Sequence, residues 1–161
     1  MRSVLALAAA LLLSGCAAFQ SPDGATLDIG TRPGNSEGGT VTTISHAVPF
    51  ADGRVLGLDL NHRPYWRPGG NPYGKRLAHG FRAPSVGDSV TILTAWAEIP
   101  AVVVAVNGPE ALVMLAEDAL PGYSGAGAWY ADDWLAGIVM ARAADDHRVA
   151  LTIIPFVGTE D

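Results

Sequence analysis

One short segment has the residue types of a nucleophilic site. It runs from Pro121 to Trp129 and reads Pro-Gly-Tyr-Ser-Gly-Ala-Gly-Ala-Trp. Gly122, Gly125 and Gly127 permit backbone conformations that a Cβ forbids, so Ser124 is predicted on a tight, exposed bend. Such a bend can point the N–H groups of Gly122 and Ser124 in one direction, as the oxyanion of acyl transfer requires. Glycine-rich bends also join strands in many β proteins, so the segment alone is weak evidence for catalysis.

A histidine far upstream can activate that serine. His46 follows the β-branched stretch Thr40 to Ile44 and precedes Ser124 in the chain. Serine is a poor nucleophile until an imidazole accepts its proton, and a third group must hold the imidazole in the correct tautomer. The sequence therefore predicts Ser124 as the nucleophile and His46 as the general base.

Three carboxylates compete for the role of the group that orients His46. Asp59 ends the stretch Val55-Leu56-Gly57-Leu58-Asp59 and is the best placed, whereas Asp52 is close to His46 in sequence. Asp88 belongs to a later turn and is a poor candidate. We predict Asp59 as the orienting acid, and the alternative for this residue is a solvated turn carboxylate.

The order of these residues and their surroundings resemble the trypsin-like serine peptidases. The segment Val86-Gly87-Asp88-Ser89-Val90 is similar to the start of the family's second barrel. Residues 135–141 are similar to the strand that lines the substrate cleft, and residues 150–155 are similar to the closing strand. The resemblance covers about residues 39 to 157. It implies an all-β fold, a compact and shortened trypsin-like double β-barrel, and a serine endopeptidase that acts on a peptide or protein substrate.

The same resemblance suggests substrate-binding residues. Gly137 lies in the strand that is similar to the cleft-lining strand, and Asp118 falls six residues before Ser124, where trypsin has its specificity carboxylate. That position would favour a basic side chain in the substrate. The alternative for Asp118 is an acidic turn shared with Glu117.

The resemblance is incomplete at the catalytic acid. In the family, an aspartate similar to Asp59 precedes the catalytic one by a few residues, and the later position falls near His62-Arg63 here. Either the acid has moved or the site is degenerate. A degenerate site would leave a trypsin-fold module that holds a peptide or protein partner without cutting it.

The N-terminus resembles a bacterial lipoprotein signal. Met1-Arg2-Ser3 gives a short positive start, Val4 to Leu13 forms an apolar core, and Leu13-Ser14-Gly15-Cys16 is similar to a lipobox. The resemblance implies cleavage before Cys16 and a lipid on its thiol, which would anchor the protein to a membrane. Ala17 follows the cysteine, which resembles the sorting signal for an outer-membrane location facing the periplasm. An ordinary secretory signal with an incidental cysteine is the alternative.

The chain is predicted to contain one folded domain. Residues 1–15 form the signal peptide, residues 16–38 a flexible tether and residues 39–161 the β-barrel domain; the tether can add a first strand near Thr26 to Ile29. The net charge is −6, and removal of residues 1–15 leaves 9 basic against 16 acidic residues, or −7. Because an acidic surface repels phosphates, we expect no nucleic-acid partner.

The sequence does not support an α/β-hydrolase triad or a metal site. Ser124, Asp132 or Asp133, and His147 follow the chain order of α/β-hydrolases, but the sequence has no helical pattern for that fold. The four histidines have no metal-ligand spacing, and the single cysteine excludes a disulfide within the chain. We therefore expect neither a metal nor another cofactor.

Apolar and β-branched runs predict strands along the rest of the chain. Asn107-Gly108 between two of these runs predicts a tight hairpin, because both residues tolerate positive φ. Residues 61–81 carry many prolines and glycines among aromatic residues and are predicted as a long loop. The predicted strands are Thr40–Ile44, Arg54–Leu60, Ser89–Ala95, Ala101–Val106, Ala111–Ala116, Ala128–Tyr130, Trp134–Ala141 and Arg148–Ile154.

Overall fold

Antiparallel β-strands form all of the regular structure in the computed structural model, which describes residues 26–33, 40–59, 61–68 and 76–155. Within those ranges, no helix has the length and hydropathy to span a bilayer. The all-β prediction is confirmed. The strands are β1 (Thr26–Pro33), β2 (Thr40–Pro49), β3 (Arg54–Leu58), β4 (Pro64–Pro68), β5 (Ser89–Leu93), β6 (Glu98–Asn107), β7 (Glu110–Leu115), β8 (Gly127–Trp129), β9 (Leu135–Arg142) and β10 (Val149–Ile153).

The first half of the fold is a four-stranded sheet in the order β1-β2-β3-β4. β1 and β2 pair from Thr26 opposite Ala47 to Pro33 opposite Thr40. β1 lies within residues 16–38, the stretch predicted as a tether. Among the described residues, regular structure therefore begins at Thr26.

The second half is a closed barrel in the order β10-β7-β6-β5-β8-β9. Alternation along β6 places Ile99, Ala101 and Val103 inside the barrel, and β7 contributes Val113 and Leu115 to the same interior. Burial of these side chains supplies most of the driving force for closure. A closed barrel has no unpaired strand edge along its wall.

The two halves share a second apolar core. Val48, Phe50 and Leu56 from the first sheet belong to one buried cluster with Trp129 and Leu135 from the barrel. The prediction of a shortened trypsin-like double barrel is confirmed, since one barrel is complete and the other half is reduced to four strands.

The predicted hairpin between β6 and β7 is confirmed, and one predicted loop contains a strand. The β6–β7 hairpin turns on Gly108 and Pro109, because Asn107 is still paired with Glu110. Gly108 has φ 61° and Asn107 has no positive φ, the pattern of a type II′ turn with glycine in its first central position. Residues 61–81, predicted as loop, contain β4. Its prolines are tolerated because β4 is the edge strand of its sheet and needs fewer N–H donors.

Candidate functional site

The backbones of His46 and Ser124 are in direct contact. The N–H of His46, within β2, donates to the carbonyl oxygen of Ser124 over 2.7 Å. Gly125 makes this approach possible, because a Cβ at this position would collide with the carbonyl oxygen of His46. Gly125 also has φ 88°, which favours glycine. Residues 78 positions apart in the sequence are thus joined where the sheet meets the barrel.

Both ring nitrogens of His46 are hydrogen-bonded to backbone groups. Nδ1 lies 2.7 Å from the carbonyl oxygen of Gly122, and Nε2 accepts the N–H of Ala95 over 2.9 Å. A carbonyl can only accept and an amide N–H can only donate, so these partners assign the proton of a neutral imidazole to Nδ1. The His46 side chain has no solvent exposure.

Aromatic rings enclose the same imidazole. The His46 ring makes edge contacts with Trp96 at 5.3 Å and with Tyr123 at 6.2 Å between centroids, and these two rings stack on each other. Burial raises the pKa of the Tyr123 phenol. The hydroxyl of Thr94 holds the adjacent turn by donating to the Ala97 carbonyl and accepting two backbone N–H groups. That turn presents the Ala95 N–H to His46.

This arrangement differs from that of an activated serine. A general base needs the Nε2 lone pair for the serine proton, but the Ala95 N–H occupies that lone pair. The Nδ1 proton is held by the Gly122 carbonyl, where a triad has a carboxylate. Ser124 is half-buried, and in the described part of the chain its hydroxyl has no hydrogen bond to an imidazole. In this geometry His46 is a structural link between the two halves.

The predicted oxyanion donors lie in the bend as expected from its glycines. Gly122 has φ 96°, and across the described ranges the N–H groups of Gly122 and Ser124 donate no hydrogen bond. The Gly122 carbonyl oxygen, however, is directed at the His46 ring. The role of the two amides as oxyanion donors stays a prediction.

Asp59 forms a turn. Its exposed carboxylate accepts the N–H groups of Asn61 at 2.8 Å and Arg63 at 2.9 Å. His62 lies in that turn with φ 63°, and the Asp59 cap holds the backbone there. Asp59 as the orienting acid stays a prediction; among the described contacts, the Nδ1 proton of His46 goes to the Gly122 carbonyl. The alternative, a solvated turn carboxylate, describes this residue.

The other two candidate acids also have partners of their own. Asp52 pairs with Arg54, whose backbone N–H lowers the pKa of this carboxyl. Asp88 accepts the N–H of Ser85 and the hydroxyl of Tyr130; the Ser85 bond is the main cause of its lowered pKa. Each carboxylate therefore stabilises a local turn or ion pair.

The resemblance to the peptidase family would place the catalytic acid near His62. In the structure the His62 imidazole is hydrogen-bonded to a backbone carbonyl. His62 Nε2 lies 2.8 Å from the carbonyl oxygen of Met140 in β9. His62 is exposed, and a histidine bonded to a carbonyl supplies no negative charge for a second imidazole. Among the described residues, no group of three histidine, cysteine or acidic side chains is arranged to hold a metal ion.

The two predicted substrate-binding residues differ in exposure: Asp118 is exposed and Gly137 is buried. Asp118 is exposed on the connection between β7 and the serine bend. Gly137 is buried in β9, where a Cβ would meet the Ile153 carbonyl oxygen at 2.8 Å. The missing side chain of Gly137 allows β9 to pack on β10. A role for Asp118 or Gly137 in substrate binding stays a prediction. Cys16, the predicted lipidation residue, lies outside the described residues.

Sequence reasoning did not find the partners of His46. Ala95 contributes a backbone N–H, which any residue except proline can supply. Gly122 contributes a backbone carbonyl, which every residue has. Trp96 and Tyr123 are visible as aromatic residues, but nothing in their spacing associates them with position 46. Only the closure of the barrel brings these groups together.

The fold can be compared with known proteins. No family model matches the sequence, and no curated protein matches it. The chain is similar to the active form of the Rv3671c protease from M. tuberculosis, with a TM-score of 0.58 and 14% identity, over 90% of this chain and 81% of that chain. At this identity the similarity concerns the fold and not the chemistry. The chain therefore has a trypsin-like serine protease fold, whose activity has to be derived from its own site residues.

Proposed function

We propose that this protein is a non-catalytic trypsin-fold module that binds a peptide or protein partner at the cell envelope. One observation carries the proposal: both ring nitrogens of His46 are occupied by backbone groups inside an aromatic enclosure. A base in that state cannot take the proton of Ser124 without first breaking a buried hydrogen bond. Among the described contacts, a backbone carbonyl accepts the Nδ1 proton, and this points the same way.

A fluorophosphonate probe tests whether the site is catalytic. The probe forms a covalent bond only with a serine that is activated as a nucleophile. We expect the folded protein to be labelled no more than its Ser124→Ala variant. Labelling that appears in the wild-type protein and disappears in Ser124→Ala would overturn the proposal.

The second candidate is a serine endopeptidase with His46 as base and Ser124 as nucleophile. The 2.7 Å bond between their backbones and the unbonded amides of Gly122 and Ser124, within the described ranges, favour it. For activity, the imidazole must rotate away from Ala95 and Gly122. Each buried hydrogen bond so lost costs about 1–3 kcal/mol, since its partner is left unsatisfied. Hydrolysis of a casein substrate that Ser124→Ala abolishes would establish this candidate.

A lipid on Cys16 is the proposed membrane anchor, whether the domain is a binding module or a serine endopeptidase. The apolar core and lipobox-like sequence of residues 1–16 support it. Attachment there, in front of β1, would hold the domain at the membrane surface facing the periplasm.

A further inference from the structure

Part of the outer wall of the barrel is apolar, whereas an exposed sheet face is usually polar. Antiparallel strands with one side in water normally alternate apolar inward and polar outward residues. Here β6 directs Val102 and Val104 outward, 43% and 42% exposed, and β7 adds Leu112, 38% exposed. Val103 between the two valines is buried, so the outward residues are not part of the barrel interior. Exposed apolar side chains that share one face of a sheet are a feature of interaction sites.

This wall borders a groove of about 580 Å³. The volume lies within the range of about 300–1,000 Å³ that is typical of ligand sites. No aspartate or glutamate is among the described residues that line it, although the chain has 16 acidic and 10 basic residues. The local charge of the groove is thus opposite to that of the whole protein. Its lining residues include Arg76, Val102, Val104, Met114 and Arg148.

The two arginines of the groove differ in what they can offer a ligand. Arg76 pairs with Asp133 at 2.7 Å and donates to the Tyr130 carbonyl, so its charge is largely neutralised. Arg148 uses only Nε, which donates to the Leu115 carbonyl over 3.2 Å. Its two terminal nitrogens donate to no other residue in the part of the chain described. Because Nε is fixed on β7, these nitrogens form a pre-positioned fork for a carboxylate.

We propose that this groove binds a partner segment in which acidic and apolar residues alternate. Its apolar side chains would pack on Val102, Val104 and Met114, and a carboxylate would pair with Arg148. The closed barrel has no strand edge at the groove, so the segment is held by side chains and not by β-pairing. A concave site fits a peptide better than a bilayer, which contacts protruding residues. The inference rests on the proposed binding function and names its surface and partner class.

Fluorescence anisotropy of the purified protein tests the groove with two labelled octapeptides. One alternates glutamate with valine, and the other has lysine in place of glutamate. We expect saturable binding of the acidic peptide only. Arg148→Gln should weaken it about tenfold, because a charged hydrogen-bonded pair is lost, and Val104→Thr should weaken it severalfold.

Two variants outside the groove serve as matched controls. Arg63→Gln removes an exposed arginine, and Val86→Thr changes a valine that is 65% exposed. Both should leave binding of the acidic peptide unchanged. All four substitutions are on exposed side chains, and circular dichroism with thermal unfolding verifies that each variant folds.

Three results would overturn the inference. The first is no saturable binding, or equal binding by wild type and Arg148→Gln. The second is Arg148-dependent partition into phosphatidylglycerol vesicles without peptide binding, which would assign the groove to a lipid surface. The third is a dimer in sedimentation that Val104→Thr dissociates, which would assign it to a second copy of the chain. Fluorophosphonate labelling of Ser124 would overturn the non-catalytic proposal and leave the peptide result unaffected.

Discussion

His46 connects three separate segments of the chain through its backbone and ring. It bonds to Ser124, Gly122 and Ala95, so its contacts join β2 to the serine bend and to the turn after β5. A histidine in this position can be retained for stability alone. Its replacement therefore tests structure independently of catalysis.

Substitution of His46 should reduce stability in proportion to the hydrogen bonds that are lost. We expect His46→Ala to lower the free energy of unfolding by about 3–5 kcal/mol, because it leaves a cavity and two unsatisfied backbone groups. His46→Gln keeps one donor and one acceptor and should lose clearly less. Urea denaturation of both variants measures the difference. Equal stability of His46→Ala and wild type would contradict the structural role.

The sequence was sufficient to place His46 and Ser124 near one another but not to orient the ring. Their proximity follows from a β-branched strand, a glycine-rich bend and their order in the chain, which resembles a known family. The orientation depends on which backbone groups reach the ring, and those of Ala95 and Gly122 have no side-chain signature. The contacts of Asp59 are open in the sequence for a related reason: an aspartate at a strand end can cap its own turn as readily as it can reach a histidine.

The elements were predictable where hydrophobic patterns were strong. Strands β5 to β10 have clear apolar or β-branched runs, and each was predicted within a few residues. β4 was missed because Pro64 and Pro68 frame it, and prolines normally indicate a loop. Its location at a sheet edge, which removes that penalty, is a property of the topology and not of the local sequence.

The contact between sheet and barrel should make the two halves unfold together. Leu56 on β3 has no solvent exposure and belongs to the shared core. We expect Leu56→Ala to lower the free energy of unfolding by about 2–5 kcal/mol in one cooperative transition. Tyr65→Ala on neighbouring β4, 39% exposed, is the control, with an expected change of about 1 kcal/mol or less. Two separate transitions in Leu56→Ala would show that the halves fold independently.

The hydrogen bond from the Tyr130 hydroxyl to Asp88 joins the end of β8 to the loop before β5, and it can be tested by pH titration. Burial and the hydrogen bond to Asp88 raise the pKa of Tyr130 to about 12. Because the folded-state value is raised, this group stabilises the fold fully below pH about 10, and the contribution is lost as the pH rises through about 12. Asp88→Asn should move the pKa of Tyr130 down towards its ordinary value.

Phenolate absorbance measures this titration, with Tyr130→Phe identifying the step that belongs to the residue. An unchanged step in Asp88→Asn would show that the carboxylate does not contribute. Circular dichroism over the same pH range separates ionisation in the folded protein from alkaline unfolding.

At the scale of the whole molecule, the proposed lipid would determine where the module acts. We predict that the wild-type protein in a bacterial host incorporates labelled palmitate and fractionates with membranes. Cys16→Ser should lose the label, because it removes the only thiol of the chain, to which the lipid would be attached. A substitution two residues away, Ala18→Ser, is the matched control. Palmitate incorporation that persists in Cys16→Ser would contradict the anchor.

Nitrogen NMR can show directly whether the His46 imidazole is bonded to the backbone and not to the Ser124 hydroxyl. The N–H···N bond from Ala95 to His46 Nε2 transmits a scalar coupling between the two nitrogens. We predict that this coupling is resolved in the folded protein and is unchanged in Ser124→Ala. Absence of the coupling, together with an Nε2 resonance that shifts in Ser124→Ala, would show an imidazole bonded to the serine and would contradict the account.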